Sequence, residues 1–148
     1  MLPDCFTDHV TVRPWPDPVI DRLGHDPRST YVEWFWLSVL GPTSIWLLRR
    51  VNDALDHAPD GFVLDLTECA AALGIASAPG RSSAIQRTLR RIVQFGVARP
   101  VDATTLDVRR NLPPLNRNQV LRLPSSLRTA HDAWTAEELQ RHQTAKVG

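Results

Sequence analysis

Ten arginines and no lysine lie between residues 81 and 128 of this 148-residue chain: Arg81, Arg87, Arg90, Arg91, Arg99, Arg109, Arg110, Arg117, Arg122 and Arg128. Only Asp102 and Asp107 oppose them, so this block carries net +8, against net −6 for residues 1–80 and net −1 for residues 129–148. The overall formal charge of +1 therefore hides a basic centre behind an acidic first half. A guanidinium is a planar fork whose paired donors match the oxygens of a phosphate or the edge of a guanine better than an ammonium does. A solvated surface that favours Arg over Lys has the same count, so the elements that carry these side chains must decide between the two.

Other chemistry has little to stand on. Cys5 and Cys69 form no Cys-x-x-Cys pair, and His9, His25, His57, His131 and His142 have no metal-ligand spacing, so neither a zinc site nor a disulfide framework is expected. Gly-rich phosphate loops, Gly-x-Ser-x-Gly elbows and His-Glu-x-x-His pairs do not occur. His131 and Asp132, adjacent on a predicted helix, point apart and make no catalytic pair. We expect no catalytic residue, metal or cofactor, and no enzyme. A chain of this length buries roughly 70% of its unfolded surface, enough for a core without staples. Its longest apolar run, near Phe35 to Leu40, is too short for a membrane span, and the acidic, Pro-rich start lacks the pattern of a signal peptide. A cytoplasmic protein with no membrane contact is the expectation.

The elements follow from turn and cap signals. Residues 1–29, with Pro3, Pro14, Pro16, Pro18, Pro27 and many Asp, are predicted to form an extended arm. An aromatic helix over 31–40 carries Trp34, Phe35, Trp36 and Leu37 and is apolar on too many sides to face water alone. Its aromatics are expected in the core or at a subunit interface. Gly41-Pro42 opens a second helix through Ile45, Leu48, Val51 and Leu55. Phe62 to Leu66 reads as a short strand, with Thr67 placed to cap a helix closed by Gly74. Ser82 and Ser83 cap a helix from Ala84 to Phe95 ended by Gly96, and 97–101 and 105–109 form a hairpin whose Pro100 keeps its strand at an edge. Residues 113–143 are predicted as a linker and a helix opened by Pro124-Ser125, and 144–148 as a disordered tail.

On the Ala84–Phe95 helix, at about 100° per residue, Ile85, Leu89, Ile92 and Val93 fall on one face. Ser83, Arg87, Arg90, Arg91 and Gln94 project opposite, with Gln86 at the flank. The order helix, strand, helix, turn, helix, hairpin resembles a winged helix-turn-helix. Leu64-Asp65-Leu66-Thr67-Glu68-Cys69-Ala70-Ala71-Ala72-Leu73-Gly74-Ile75 resembles the first helix of the pair. Ser82 to Arg99, ending Phe95-Gly96-Val97-Ala98-Arg99, resembles the recognition helix running into the wing. The loop through Ala78-Pro79-Gly80-Arg81 is longer than the family's tight turn. The flanks, Trp34-Phe35-Trp36-Leu37 with Gly41-Pro42, and Leu112-Pro113-Pro114-Leu115 with Ala130-His131-Asp132-Ala133-Trp134, resemble small uncharacterised actinobacterial winged-helix proteins, a likeness that names no activity.

The expected fold is thus mostly α with a small β-hairpin: a winged helix-turn-helix over 30–112 with extra N- and C-terminal helices. The resemblance implies a sequence-specific double-stranded DNA-binding protein, a transcriptional regulator, with helix 83–95 in the major groove and hairpin 97–110 as wing. Arg87 and Arg90 would read bases, with Gln86 and Gln94 beside them. Arg81, Ser82, Ser83, Arg91, Arg99, Arg109 and Arg110 would grip phosphates. A homodimer through the aromatic helix or the Trp134 helix is expected. The alternative is a winged-helix protein-interaction module without DNA binding, meeting its partner through helix 31–40.

Overall fold

The computed structural model describes residues 5–75 and 83–147. Its centre is a four-stranded mixed sheet in the order β2-β1-β4-β3, packed among helices. β1 (His9–Pro14) points Val10 and Val12 inward, both fully buried, and His9, Thr11 and Arg13 outward, the two-residue period of a half-buried strand. It pairs antiparallel with β2 (Phe62–Asp65) and parallel with β4 (Thr105–Val108), which pairs antiparallel with β3 (Ala98–Asp102). The predicted hairpin is present, with Pro100 on an edge strand beside an irregularity of register.

Two expectations are corrected here. The sheet is larger than a hairpin, and residues 5–29, the described part of the expected arm, supply an inner strand and a short helix, α1 (Pro18–Leu23), capped by Asp17. A strand of six residues bracketed by prolines shows only two inward valines in sequence. Its parallel partner lies more than ninety residues away.

The aromatic helix runs through a π-helical stretch, Val32–Trp36, into α2 (Leu37–Leu40). Tyr31, Val32, Phe35 and Trp36 are buried within the chain itself, while Trp34 remains 55% exposed. Pro42 opens α3 (Pro42–His57), whose Ile45, Leu47, Leu48, Val51 and Leu55 are buried. α4 (Leu66–Ala72) is capped by Asp65, which accepts the Glu68 N–H, not by Thr67 as expected; the strand ends one residue sooner than its apolar run suggests. α5 (Ala84–Gln94) buries Ile85, Leu89 and Ile92 on the predicted face. A capping box between Asn116 and Gln119 starts α6 (Arg117–Leu121), and α7 (Ser125–Val147) takes in residues 144–147 of the segment expected as a disordered tail. No helix among the described residues is long and apolar enough to cross a membrane.

α7 is held to the aromatic helix through one buried hydroxyl. Tyr31 Oη accepts the Leu115 N–H at 2.9 Å and lies 2.8 Å from Nε2 of His131. The Tyr31 hydroxyl has its one proton to give, and His131 Nε2 accepts it when the neutral imidazole carries its own proton on Nδ1. His25 stacks on Tyr31 at 3.9 Å, and Phe35 and Trp134 close the cluster edge-on. Burial pushes the His131 pKa below the usual 6.5, with Asp132 pulling the other way; His25 is lowered likewise, by burial first, with His131 adding and Glu138 opposing. The unfolded chain then takes up a proton more readily than the folded one. Stability is complete above about 6.5, the value of an unhindered His, and declines as pH falls below it. Urea unfolding between pH 7.5 and 5 should show this decline. Tyr31→Phe strands the Leu115 N–H and His131 Nε2, and is expected to cost about 1–3 kcal/mol at pH 7.5.

Candidate nucleic-acid interface

α5 begins at Ser83, whose hydroxyl accepts the Gln86 N–H at 3.3 Å, and ends before Gly96 as its spacing predicts. Arg87, Arg91 and Gln94, at i, i+4 and i+7, are its exposed side chains, and Arg90 is half-buried beside them. They face the start of α3 across a groove whose other wall includes Gly41, Pro42, Thr43 and Ser44. Thus α5 does present a row of arginines with an amide at its end.

Several expected contacts are committed elsewhere in the fold. Gln86 is 5% exposed and belongs to the core side: its Oε1 accepts the Phe6 N–H and its Nε2 donates to the Phe6 carbonyl, both at 2.9 Å. It thereby ties the chain leading into β1 to α5, and cannot flank a base-reading row. Helix periodicity placed it at the edge of the core face, and the partner that buries it comes from eighty residues away. Ser83 is likewise 4% exposed and spends its hydroxyl as a cap, not on a phosphate. Arg91 donates from Nε to the Leu40 carbonyl at 2.7 Å and from a terminal nitrogen to Val39 at 2.8 Å, filling acceptors that α2 leaves open at its C-terminus. Arg81 and Ser82 lie outside the described residues.

The hairpin arginines are similarly tied. Asp107, opposite Arg13 on β1 and Arg99 on β3, receives both, at 2.8 and 3.2 Å. Arg109 donates to the Gly96 carbonyl and meets Asp17 at 2.9 Å, and its guanidinium lies 3.7 Å from the centre of the Trp15 ring. The cap bond from the Ile20 N–H first, and Arg109 second, hold the Asp17 carboxyl below the usual carboxylate range. Arg110 pairs with Asp56, which also meets Arg28; Arg28 first and Arg110 second lower that carboxyl. Of the hairpin set, Arg99 alone keeps a side chain more than half exposed, although it too lies over Trp15 at 4.6 Å.

Arg87, Arg90, Arg91 and Gln94 of α5 line one groove, and Arg99 lies on the edge strand β3. Two further polar residues that line the groove, Thr43 and the buried Ser44, were not singled out by the sequence, where Gly41-Pro42 served only as a helix start. Among the described residues no group of three His, Cys, Asp or Glu is placed to hold a metal ion. The chain matches no family model, no curated protein and no solved structure.

Because Gln86 is a tie between α5 and the approach to β1, Gln86→Ala should act on stability. Loss of a buried pair of hydrogen bonds is expected to cost about 1–3 kcal/mol in urea unfolding, with faster amide exchange at Phe6. A Gln86→Ala protein with unchanged stability would remove this assignment.

Proposed function

We propose that the protein binds double-stranded DNA sequence-specifically as a winged-helix transcriptional regulator, with α5 in the major groove and the β3–β4 hairpin as wing. The observation that supports this most is the exposed face of α5, where Arg87 and Gln94 stand two turns apart beside Arg90. It lies on a helix that follows a helix and precedes a two-stranded hairpin. A forked base and an amide are the side chains that pair bidentately with guanine and adenine edges. Arg87 and Gln94 are the better placed for bases, since one nitrogen of Arg90 is sealed from solvent. Arg99, on the edge strand, is the wing side chain best exposed to a flanking phosphate. One short helix reads few base pairs, so a homodimer on a two-part site is the assembly this function calls for.

A second reading, a module that docks a protein without DNA, draws on Trp34 and Trp46, 55% and 56% exposed on adjacent helices. One experiment separates the two. Fluorescence anisotropy on mixed-sequence and selected duplexes across a salt series should give affinity that falls linearly in log salt. Arg87→Ala is expected to cost about 1–3 kcal/mol on the selected site and to relax preference at one position, whereas Arg99→Ala should weaken all duplexes alike. Absence of binding at low salt would reject the duplex function and favour the docking module.

A further inference from the structure

The two edges of the sheet, β2 and β3, are built differently. On β3 the Arg109 N–H bonds the Val97 carbonyl at 2.9 Å, so Val97 and Arg99 direct their backbone groups to β4, while Ala98 and Pro100 turn theirs outward. Pro100 brings no N–H, and a register irregularity follows it, so a further strand could not continue the ladder there. On β2 the Leu66 N–H bonds the Asp8 carbonyl at 2.8 Å. By alternation the Phe62 and Leu64 N–H groups face β1, and the Val63 N–H and C=O, the Asp65 N–H and the Gly61 C=O point away from the sheet. None of these outward groups has a partner among the described residues. This edge holds no proline, and Val63 stands 62% exposed on it.

An open edge is a template for another strand, and the blunted β3 of a neighbour cannot supply it. The pairing that closes is β2 with β2 of a second copy, antiparallel about a two-fold axis. One register satisfies backbone and side chains together. With Val63 opposite Val63 of the partner subunit, each N–H meets the other's carbonyl, the Asp65 N–H reaches the carbonyl of the partner's Gly61, and Phe62 lies opposite the partner's Leu64. Sliding the copies to set Val63 against the partner's Asp65 would oppose an apolar side chain to a carboxylate. A groove of about 350 Å³ beside this edge carries complementary charge, since Arg50 and Asp53, one turn apart on α3, both line it. Arg50 meets no carboxylate among the described residues, and Asp53 gives only one oxygen to Arg28. A two-fold axis reverses α3 and brings the base of each copy towards the acid of the other.

We infer that β2 pairs with β2 of a second copy, joining two four-stranded sheets into one across Val63. As the assembly of a regulator on a two-part site, this rests on the duplex function above; the pairing itself is tested without DNA. The strand is short, so the dimer is of the weak, concentration-dependent kind.

The test uses the full chain, with sedimentation across a concentration series and amide hydrogen exchange read at its two ends. A dimer is expected at the concentrated end, with exchange of the Val63 and Asp65 N–H groups slowed roughly tenfold or more relative to the dilute end. Val63→Glu leaves the bonds to β1 in place but sets two carboxylates against each other across the axis, and should weaken the dimer by roughly tenfold or more, whereas Val63→Thr should retain it. Monomer at every concentration, or a dimer in which the Val63 and Asp65 amides exchange as in the monomer, would overturn the pairing. Both readouts are taken on the unaltered chain, so they stand whether or not the Glu variant folds. A monomer that binds duplex overturns this interface and leaves the duplex function; a dimer with slowed Val63 and Asp65 amides that binds no duplex supports the interface and rejects the duplex function.

Discussion

Val10 and Val12, wholly buried, hold β1 between β2 and β4, and most of the polar architecture follows from that insertion. The chain leading into the strand brings the Phe6 backbone to Gln86, the strand itself sets Arg13 opposite Asp107, and its exit lays Trp15 beneath Arg99 and Arg109. Asp17, two residues further, then caps α1 and meets Arg109. Apolar burial drives the insertion, because a valine side chain removed from water gains about 1.5–3 kcal/mol while a half-exposed ion pair gains little. The ion pairs are consequences of the strand's position, and they fix which side chains are spent.

Seen this way, the acidic first half and the basic centre are complementary parts of one surface. Asp17 answers Arg109, and Asp56 answers Arg110 and Arg28. Asp107, an acid of the basic block itself, answers Arg99 together with Arg13. With 6% of its side chain exposed, Asp107 is the one among them for which loss of both partners would leave a nearly dry charge. Where α5 meets the start of α3, Arg91 is held instead by the Leu40 and Val39 carbonyls.

Local signals were legible because they act over a few residues. Ser83 caps α5, Gly96 follows it, the edge strand carries Pro100, and Ile85, Leu89 and Ile92 turn inward, each where a cap, a backbone restriction or a helical period dictates. The site was read less fully. Helix geometry found the face of Arg87, Arg90 and Gln94, but it had no means of telling that Arg91 would bend back to the Leu40 carbonyl, or that Gln86 would be covered by Phe6. Each of those outcomes is set by a backbone group distant in sequence.

The sequence by itself determined where α3 and α5 begin, that a hairpin follows α5, and which face of α5 is apolar, since these depend on side-chain period and on Gly, Pro and capping residues. Tertiary structure alone decided that a proline-bracketed segment would become an inner strand and that the hairpin arginines would be neutralised. It also placed the start of α3 across a groove from the arginines of α5. The physical reason is that pairing between distant strands and charges depends on proximity created by burial, and no periodicity within a short window encodes it.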